Sequence, residues 1–495
     1  MRLRYVGLLF YATELFSAVT GIVFILLVTR SLTVSEFGEW QIFSLVVGYT
    51  TFLYDAFPFW AARFRARGFK ESIITGLAVN VLLALIIDII LILFLDIISK
   101  SLLITNHLLI IVALFTFTAH VHRVLYQGVY VTQTEKVAIS IIIFELSKVL
   151  LCFILTTVME LRIYGVVFSV LAATIIQIIY LSLFELKDLR QKPSFTLIKK
   201  WMRTIWLSVY QYVGGLLLLL DIPILILYTG LKEVAAFYNI GMPFASVILY
   251  ARLLAAGLYP KLLTTGSNED VEETLRLSMF LAIPSTVAIL ILSPYLLYIL
   301  NPEYVSAYNV LRIMALDNLI IVLIDILVST MLGVEKTDTE SVRFKDIIKS
   351  RLFLTSSIPY LRASILLSSL GALVMFYKGL NIISLSEYTR SFNLIASLIL
   401  LTILSQRAKN AINFKFPTKN LLNYIIASAA MALLVTQFQP LKIRDLALTV
   451  VIGAGVYFSV LYMLDPWFRG LARRVYEELA HKVKPISGGL IRNCS

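Results

Sequence analysis

Charged residues are scarce in this chain, and their scarcity removes most of the usual possibilities. Only 15% of the 495 residues are Asp, Glu, Lys or Arg, while 59% are hydrophobic; an ordinary soluble protein carries roughly 25% charged residues. No connection between apolar runs exceeds about twenty residues, which leaves no room for a soluble catalytic domain between them. Cysteine is nearly absent: Cys152 lies in an apolar run and Cys494 in a polar tail, environments that exclude a disulfide between the two. Histidine numbers four, and His120 and His122, two positions apart, point to different sides of a helix, so no metal site is expected. There is no GxxxxGK[ST] loop and no strand-led GxGxxG. Gly453-Ala454-Gly455 lies within an apolar run, where small residues serve packing. ATP hydrolysis by the chain alone, a catalytic residue set and a bound cofactor are therefore not expected.

What the chain does have is isoleucine and leucine in runs such as 73–95 and 139–158, each long enough to span roughly 30 Å of hydrocarbon. Runs between charged or Pro/Gly-rich breaks predict spans near 6–29, 38–61, 72–98, 104–131, 137–159, 163–184, 203–229, 234–258, 274–300, 306–333, 353–378, 384–405, 421–437 and 445–464. The first, following Arg2 and Arg4, is too long for a cleaved leader and ends at Thr29-Arg30 without a small-residue cleavage pattern, so it reads as a retained signal anchor. The expected fold is all-α and integral to the membrane, with about fourteen transmembrane helices. Thirty of the 43 Lys and Arg residues fall on connections of one side and six on the other, with seven inside spans. Arg63, Arg65, Arg67 and Lys70 are in the rich set, as are Lys336, Arg343, Lys345, Lys349 and Arg351. This asymmetry predicts a multi-pass protein of the cell membrane with both termini cytoplasmic. The acidic loop 262–273 does not overturn it, because acidic residues contribute little to orientation. The net charge of +13 is a topology signal; its spread over short loops gives no face for nucleic acid.

A shift of 198 residues aligns Glu39-Trp40-Gln41 with Phe237-Tyr238-Asn239, each set following a short outer turn. This faint repeat suggests a six-helix N-terminal lobe (1–200), a six-helix C-terminal lobe (201–420), an additional helix pair (421–464) and a basic cytoplasmic tail (465–495). Two such pseudo-symmetric lobes around a central cavity are a recurrent transporter plan.

Ionisable residues inside spans are costly and point to function or to mutual pairing. The basic set is Arg30, Arg123, Lys148, Arg252, Arg312, Arg362 and Arg390; the acidic set is Glu14, Asp55, Asp88, Glu145, Asp221, Asp317 and Asp325. Glu145 and Lys148 share a helix face, and Arg123 on the preceding helix is expected to join them. Arg30, Asp55 and Arg252 lie near helix ends and are expected to snorkel to the interface. Glu14, with Thr13, Ser17 and Thr20, makes a polar stripe on the first helix. Asp221 sits on an equally polar seventh helix with Tyr210, Gln211 and Tyr212, which Pro223 is expected to bend. Arg312, Asp317, Asp325 and Arg362 add charge on the tenth and eleventh. Glu14, Arg30, Asp221, Asn239, Arg312 and Arg362 are the candidate cavity residues, and Glu14, Asp88 and Asp221 the candidates for ion coupling. Arginine in such a cavity suits an anionic ligand, since guanidinium binds phosphate in bidentate fashion.

Three segments then carry a resemblance: FILLVTRSLTVSEFGEW (Phe24 to Trp40), with Arg30, Leu32 and Phe37-Gly38; AFYNIGMPFASVILYARLLAAGLYPKL (Ala236 to Leu262), with Tyr238-Asn239 and Pro260; and NPEYVSAYNVLRIMAL (Asn301 to Leu316), with Tyr304, Ala307 and Leu311. With the helix count and polarity, the chain resembles the polysaccharide flippases of the multidrug/oligosaccharidyl-lipid/polysaccharide superfamily, which include O-antigen exporters and are related to lipid II flippases. The resemblance implies two six-helix lobes, alternating access, and movement of a polyprenyl-(pyro)phosphate-linked glycan from the cytoplasmic to the outer leaflet without covalent chemistry. Its partners would be membrane lipids, that glycan lipid and glycan-assembly enzymes. It assigns Arg30 to the family's first-helix motif and Asn239 to its eighth. Two other readings are weighed against it: an H+- or Na+-coupled drug or metabolite antiporter of the same superfamily, and a membrane glycan polymerase or glycosyltransferase, which the short outer loops disfavour.

Overall fold

The computed structural model describes residues 3–202, 205–255, 258, 261–262, 267–335, 348, 350–377 and 379–483. Arg2, Arg203, Pro260, Lys336, Arg343, Lys345, Lys349, Lys378, Lys484, Arg492 and Cys494 lie outside the described residues. Among the described residues every regular element is helical. The first half comprises α1 (Leu3–Ser31), α2 (Val34–Thr50), α3 (Ala56–Ala66), α4 (Ser72–Leu93), α5 (Leu95–Leu102), α6 (Asn106–Thr132), α7 (Thr134–Cys152, continued by a π-helical turn Phe153–Val158) and α8 (Arg162–Leu189). A short α9 (Phe195–Met202) leads to α10 (Trp206–Leu218), α11 (Asp221–Thr229), α12 (Glu233–Asn239) and α13 (Met242–Leu249), the last followed by a 3-10 turn Tyr250–Ala255. Then come α14 (Asn268–Leu300), a 3-10 turn Pro302–Ala307, α15 (Tyr308–Gly333), α16 (Arg351–Ser356), α17 (Ile358–Phe376), α18 (Ile382–Ala411), α19 (Thr418–Val435), α20 (Ile443–Leu464) and α21 (Pro466–Val483).

Twelve of these stretches, counted across shallow breaks, are long and apolar enough to cross a bilayer. The chain is a multi-pass membrane protein. Twelve of the fourteen expected spans fall on these stretches; the two outside them are residues 34–66 and Tyr308–Gly333. Residues 34–66 do not form the single rod that their apolarity suggests, because the helix opens into a turn at residues 51–55. The seventh expected span breaks between α10 and α11, just before Pro223 in the first turn of α11, where its missing N–H leaves no bond unmade.

Tertiary packing follows the order of the chain. In the first half α1 lies on α7, α4 on α6, and α6 and α7 on α8. In the second, α14, α15 and α18 form one packed row, with α13 against α15 and α17 against α10 and α18. The pair α19–α20 leans chiefly on α14, where Phe280 sits within 7 Å of the rings of Tyr424, Tyr457, Phe458, Trp467 and Phe468. The two halves touch mainly through α2 with α12, α1 with α13 and α14, and α5 with α11.

Side-chain ties identify two faces. The turns at 31–33, 103–105, 230–232 and 300–307 gather on what we term the distal face, far along α1 from its N-terminus. The proximal face is fastened by Arg65 to Asp188, by Asn420 Nδ2 to Asp465 Oδ2 at 2.9 Å and by Trp467 Nε1 to Glu273 Oε2 at 3.0 Å. On the distal face Tyr304 is fully buried, edge-on to Phe37 of α2 and Phe237 of α12 with centroids 5.8 Å away in both cases. Its hydroxyl has no hydrogen-bond partner, and burial, with Glu303 nearby, raises its pKa above the ordinary range. An orphaned hydroxyl costs about 1–3 kcal/mol, so Tyr304→Phe is expected to hold or raise the thermal unfolding midpoint in detergent. Tyr304→Ala, which deletes the ring both halves pack against, is expected to lower it markedly, at a cost of about 3–5 kcal/mol. A midpoint lowered equally by both variants would mean that the hydroxyl is bonded.

Candidate functional site

The distal face is sealed by α2 and α12, the segments that the faint repeat aligns. Thr33 caps α2: its side chain accepts from Glu36 N at 3.3 Å while the Glu36 carboxylate accepts from Thr33 N at 2.9 Å. This fixes where the helix begins and which residues face its partner. Gly38 then meets the turn before α12 so closely that a Cβ there would stand 2.3 Å from the Lys232 carbonyl oxygen. The next residue, Glu39, is buried, yet both its oxygens are used. Oε1 accepts from Thr105 N at 3.0 Å and Oε2 from Lys232 Nζ at 3.1 Å. Arg30 donates across to Ile299 O at 3.0 Å, and Glu36 pairs with Arg162 at 3.1 Å.

Within the second half lies a dry charge network. Asp221 accepts from the Tyr238 hydroxyl and from Ile222 N. Arg390 donates to Tyr238 O and to Asn239 Oδ1, both at 2.8 Å, and its guanidinium lies 3.6 Å over the Tyr238 ring. Asn393 Nδ2 reaches the Tyr238 hydroxyl oxygen at 3.2 Å. Arg362 pairs with Asp317 at 2.7 Å, and Ser397 donates to the same carboxylate. Two carboxylates and two guanidiniums balance, as burial in hydrocarbon demands. Arg312 stands apart: its Nε donates to Leu290 O at 2.9 Å and to Ser293 Oγ at 3.0 Å, and its guanidinium lies 4.7 Å over Tyr308.

The polar stripe of α1 divides. Ser17 and Thr20 donate to Glu145 of α7, at 3.0 and 2.6 Å, and Glu145 also holds Lys148 at 2.8 Å, so this part is a structural tie. Arg123 does not join it. Its Nε and Nη2 grip the two oxygens of Asp55 at 2.7 and 2.8 Å, and Gln127 Nε2 reaches Asp55 Oδ1 at 3.2 Å. The turn at 51–55 makes this pairing, by breaking α2 where Asp55 faces α6. Asp88 lies buried on α4 with Oδ1 lacking a hydrogen-bond partner.

The remaining charges share one depth. Counting 1.5 Å per residue, Glu14 lies about 25 Å from the distal end of α1, and Arg123 and Asp325 the same distance along α6 and α15. Arg252 of the 3-10 turn pairs with Asp325 at 3.6 Å, and the side chains keep 54% and 40% of their exposure; Arg123 and Asp55 keep 24% and 21%. Exposed charge at this depth has to face water. The Arg123 guanidinium also lies 5.5 Å from the ring centroids of both Tyr54 and Tyr126. These groups come from both halves; of the sequence candidates for the cavity, Glu14 stands at the same level as Asp55, Arg123, Arg252 and Asp325. Asp55, expected to snorkel, is held by Arg123 through the turn that breaks the second helix, while Arg252 is half-exposed beside Asp325. Asp221, Asn239 and Arg362 sit in the dry network, Arg30 on the distal seal and Arg312 against α14.

A methyl group at Gly38 has backbone in its way, and overpacking of that kind costs about 1–3 kcal/mol. Gly38→Ala is therefore expected to part the distal seal. Spin labels at Ser35→Cys and Leu231→Cys, in a chain with Cys152 and Cys494 replaced by Ser, should show a longer distance population than with Gly38 retained. An unchanged distribution would mean that the contact is not what holds the face shut.

Neither a family model nor a curated protein sequence matches this chain. Solved structures do. The lipid II flippase MurJ in an inward closed conformation superposes with a TM-score of 0.68 at 15% identity, covering 94% of this chain and 100% of that one. An inward-facing multidrug resistance MATE family transporter of the MOP superfamily gives 0.58 at 12% identity, covering 82% and 98%. A MOP superfamily transporter from Pyrococcus furiosus gives 0.50 at 10%, covering 83% and 95%. At such identities the likeness is one of architecture: the chain has the fold shared by the lipid II flippase and the MATE transporters of the MOP superfamily.

Proposed function

We propose that this protein flips a polyprenyl-(pyro)phosphate-linked oligosaccharide from the cytoplasmic to the outer leaflet by alternating access. The observation that carries this reading is the pairing of a sealed distal face with a proximal layer of half-exposed charge contributed by both halves, the form of a carrier open on one side only. In the proposal residues 34–66 and Tyr308–Gly333 also cross, making fourteen passes. Residues 1–200 and 201–420 act as two lobes, 421–464 as an added pair, and the basic tail from 465 and both termini lie in the cytoplasm. The proximal cavity then opens to the leaflet where such a lipid is assembled, and glycan-assembly enzymes deliver the substrate there. Arg252, with more than half its side-chain surface exposed, is the guanidinium best placed to meet a phosphate. Arg30 acts on the distal seal, which must release for delivery outward. Arg312, Arg362 and Asn239 join the substrate path once the dry network loosens. Glu14, Asp88 and Asp221 are the carboxylates available for coupling to an ion. No covalent step is involved.

The antiporter reading draws on the same carboxylates and on the likeness to the MATE transporters. It is separated from flipping by one assay. In liposomes loaded with a short-chain polyprenyl-pyrophosphate oligosaccharide, the flippase is expected to expose glycan to an external lectin. Glu14→Gln or Arg30→Ala should slow exposure by about tenfold, the scale of one lost charge-assisted hydrogen bond. If no protein-dependent exposure occurs under any ion gradient while an organic cation is driven out by H+ or Na+, the antiporter is the better reading.

A further inference from the structure

The proximal ends of α15 and α18, with the short α16, enclose a hollow of about 430 Å³ that has no part in the charge layer described above. Its walls include Met331 of α15, Arg351, Phe353 and Leu354 of α16, and Arg407 and Asn410 of α18. Counting 1.5 Å per residue from the distal ends, Met331 stands about 35 Å along α15 and Arg407 about 38 Å along α18. Hydrocarbon extends for roughly 30 Å, so the hollow lies at the level where lipid headgroups begin. Its shape is set by the protein alone. Ser350 accepts from Phe353 N at 3.4 Å, and the Phe353 ring stacks on Tyr210 of α10 with centroids 5.2 Å apart.

Two guanidiniums line this hollow, and among the described residues neither is paired with a carboxylate. The Arg351 backbone N–H donates to Glu335 Oε2 at 2.9 Å, while its side chain reaches Val334 O at 3.5 Å. The side chains of Arg407 and Asn410 have no partner among the described residues. Other basic groups of the proximal face are paired: Arg65 with Asp188, Lys261 with Asp270 and Arg276 with Glu272. Guanidinium carries N–H donors and no acceptor, so the two arginines leave a site that an anion completes, and their planar forks match phosphate. Met331, Phe353 and Leu354 add an apolar wall. A free phosphate gains nothing from it, whereas a phospholipid has a glycerol end and acyl carbons to lay there.

We infer that this hollow binds the headgroup phosphate of an anionic phospholipid of the proximal leaflet, with Arg351 and Arg407 on the phosphate oxygens and Asn410 donating beside them. A zwitterionic headgroup brings its own ammonium to the same arginines and fits less well. The site is independent of what the protein carries.

The test is a titration of the full chain in neutral detergent with phosphatidylglycerol bearing a fluorescent acyl chain, and with the matching phosphatidylcholine. Phosphatidylglycerol is expected to bind about tenfold more tightly. Arg407→Gln should raise its Kd by about tenfold, the scale of one lost charge-assisted contact, and adding Arg351→Gln should abolish the preference between the two lipids. Since the Arg407 side chain has no partner to lose, Arg407→Gln is expected to leave the thermal unfolding midpoint in place, which separates loss of the site from loss of the fold. Arg473→Gln with Arg474→Gln, which removes the same charge from exposed positions on α21, should change neither Kd. The inference is overturned if the wild-type protein does not prefer phosphatidylglycerol, if Arg407→Gln leaves its Kd unmoved, or if the α21 pair weakens binding as much as the Arg351 and Arg407 pair. Displacement of the lipid by an equal concentration of inorganic phosphate would also overturn it, by making phosphate alone the ligand.

Discussion

Hydrocarbon offers no water to an ion, so each charge carried into the bilayer must arrive with a partner or open onto a hydrated space. The charges of this chain divide along that line. Asp221 and Asp317 are buried and are held by Tyr238, Ser397 and Arg362, while Arg390 is held by Tyr238 and Asn239. Glu145 and Lys148 tie α1 to α7. Arg252 and Asp325 are paired too, but at 3.6 Å and with half their surface open, which requires water beside them.

The seal on the other face is of a different nature. It depends on an absent side chain, since Gly38 lets two helix ends approach to backbone contact, and on a buried carboxylate that spends one oxygen on each half of the molecule. Lys232 is the only side chain bound to Glu39 across this junction among the described residues. Removing one partner of such a buried pair costs far more than the pair adds, so the seal is firm, and in the proposed cycle it would be rehydrated on opening.

The sequence made the helices legible because the bilayer leaves so few alternatives: twelve of the expected spans fall on helices long and apolar enough to cross, and the all-helical membrane architecture needed little beyond hydropathy. It made the breaks illegible. Residues 51–55 read Thr-Phe-Leu-Tyr-Asp, without glycine or proline to mark a turn, and the consequence was a wrong partner for Arg123. Depth along a helix can be counted from sequence, and on depth alone Glu145 and Lys148 were reasonable neighbours. Which neighbour a side chain turns toward is decided by packing between helices, and no periodicity records it. The break before Asp221 was readable, because Pro223 announces it.

The last pair of membrane helices leans chiefly on α14, and α14 in turn packs with α13 and α15 of the second half. In the proposed alternating-access cycle, α19 and α20 would therefore travel as ballast on the second half only. On that reading the second half would sweep a wider disc through the lipid than the first, and lateral pressure in the membrane would be an asymmetric load on the proposed cycle.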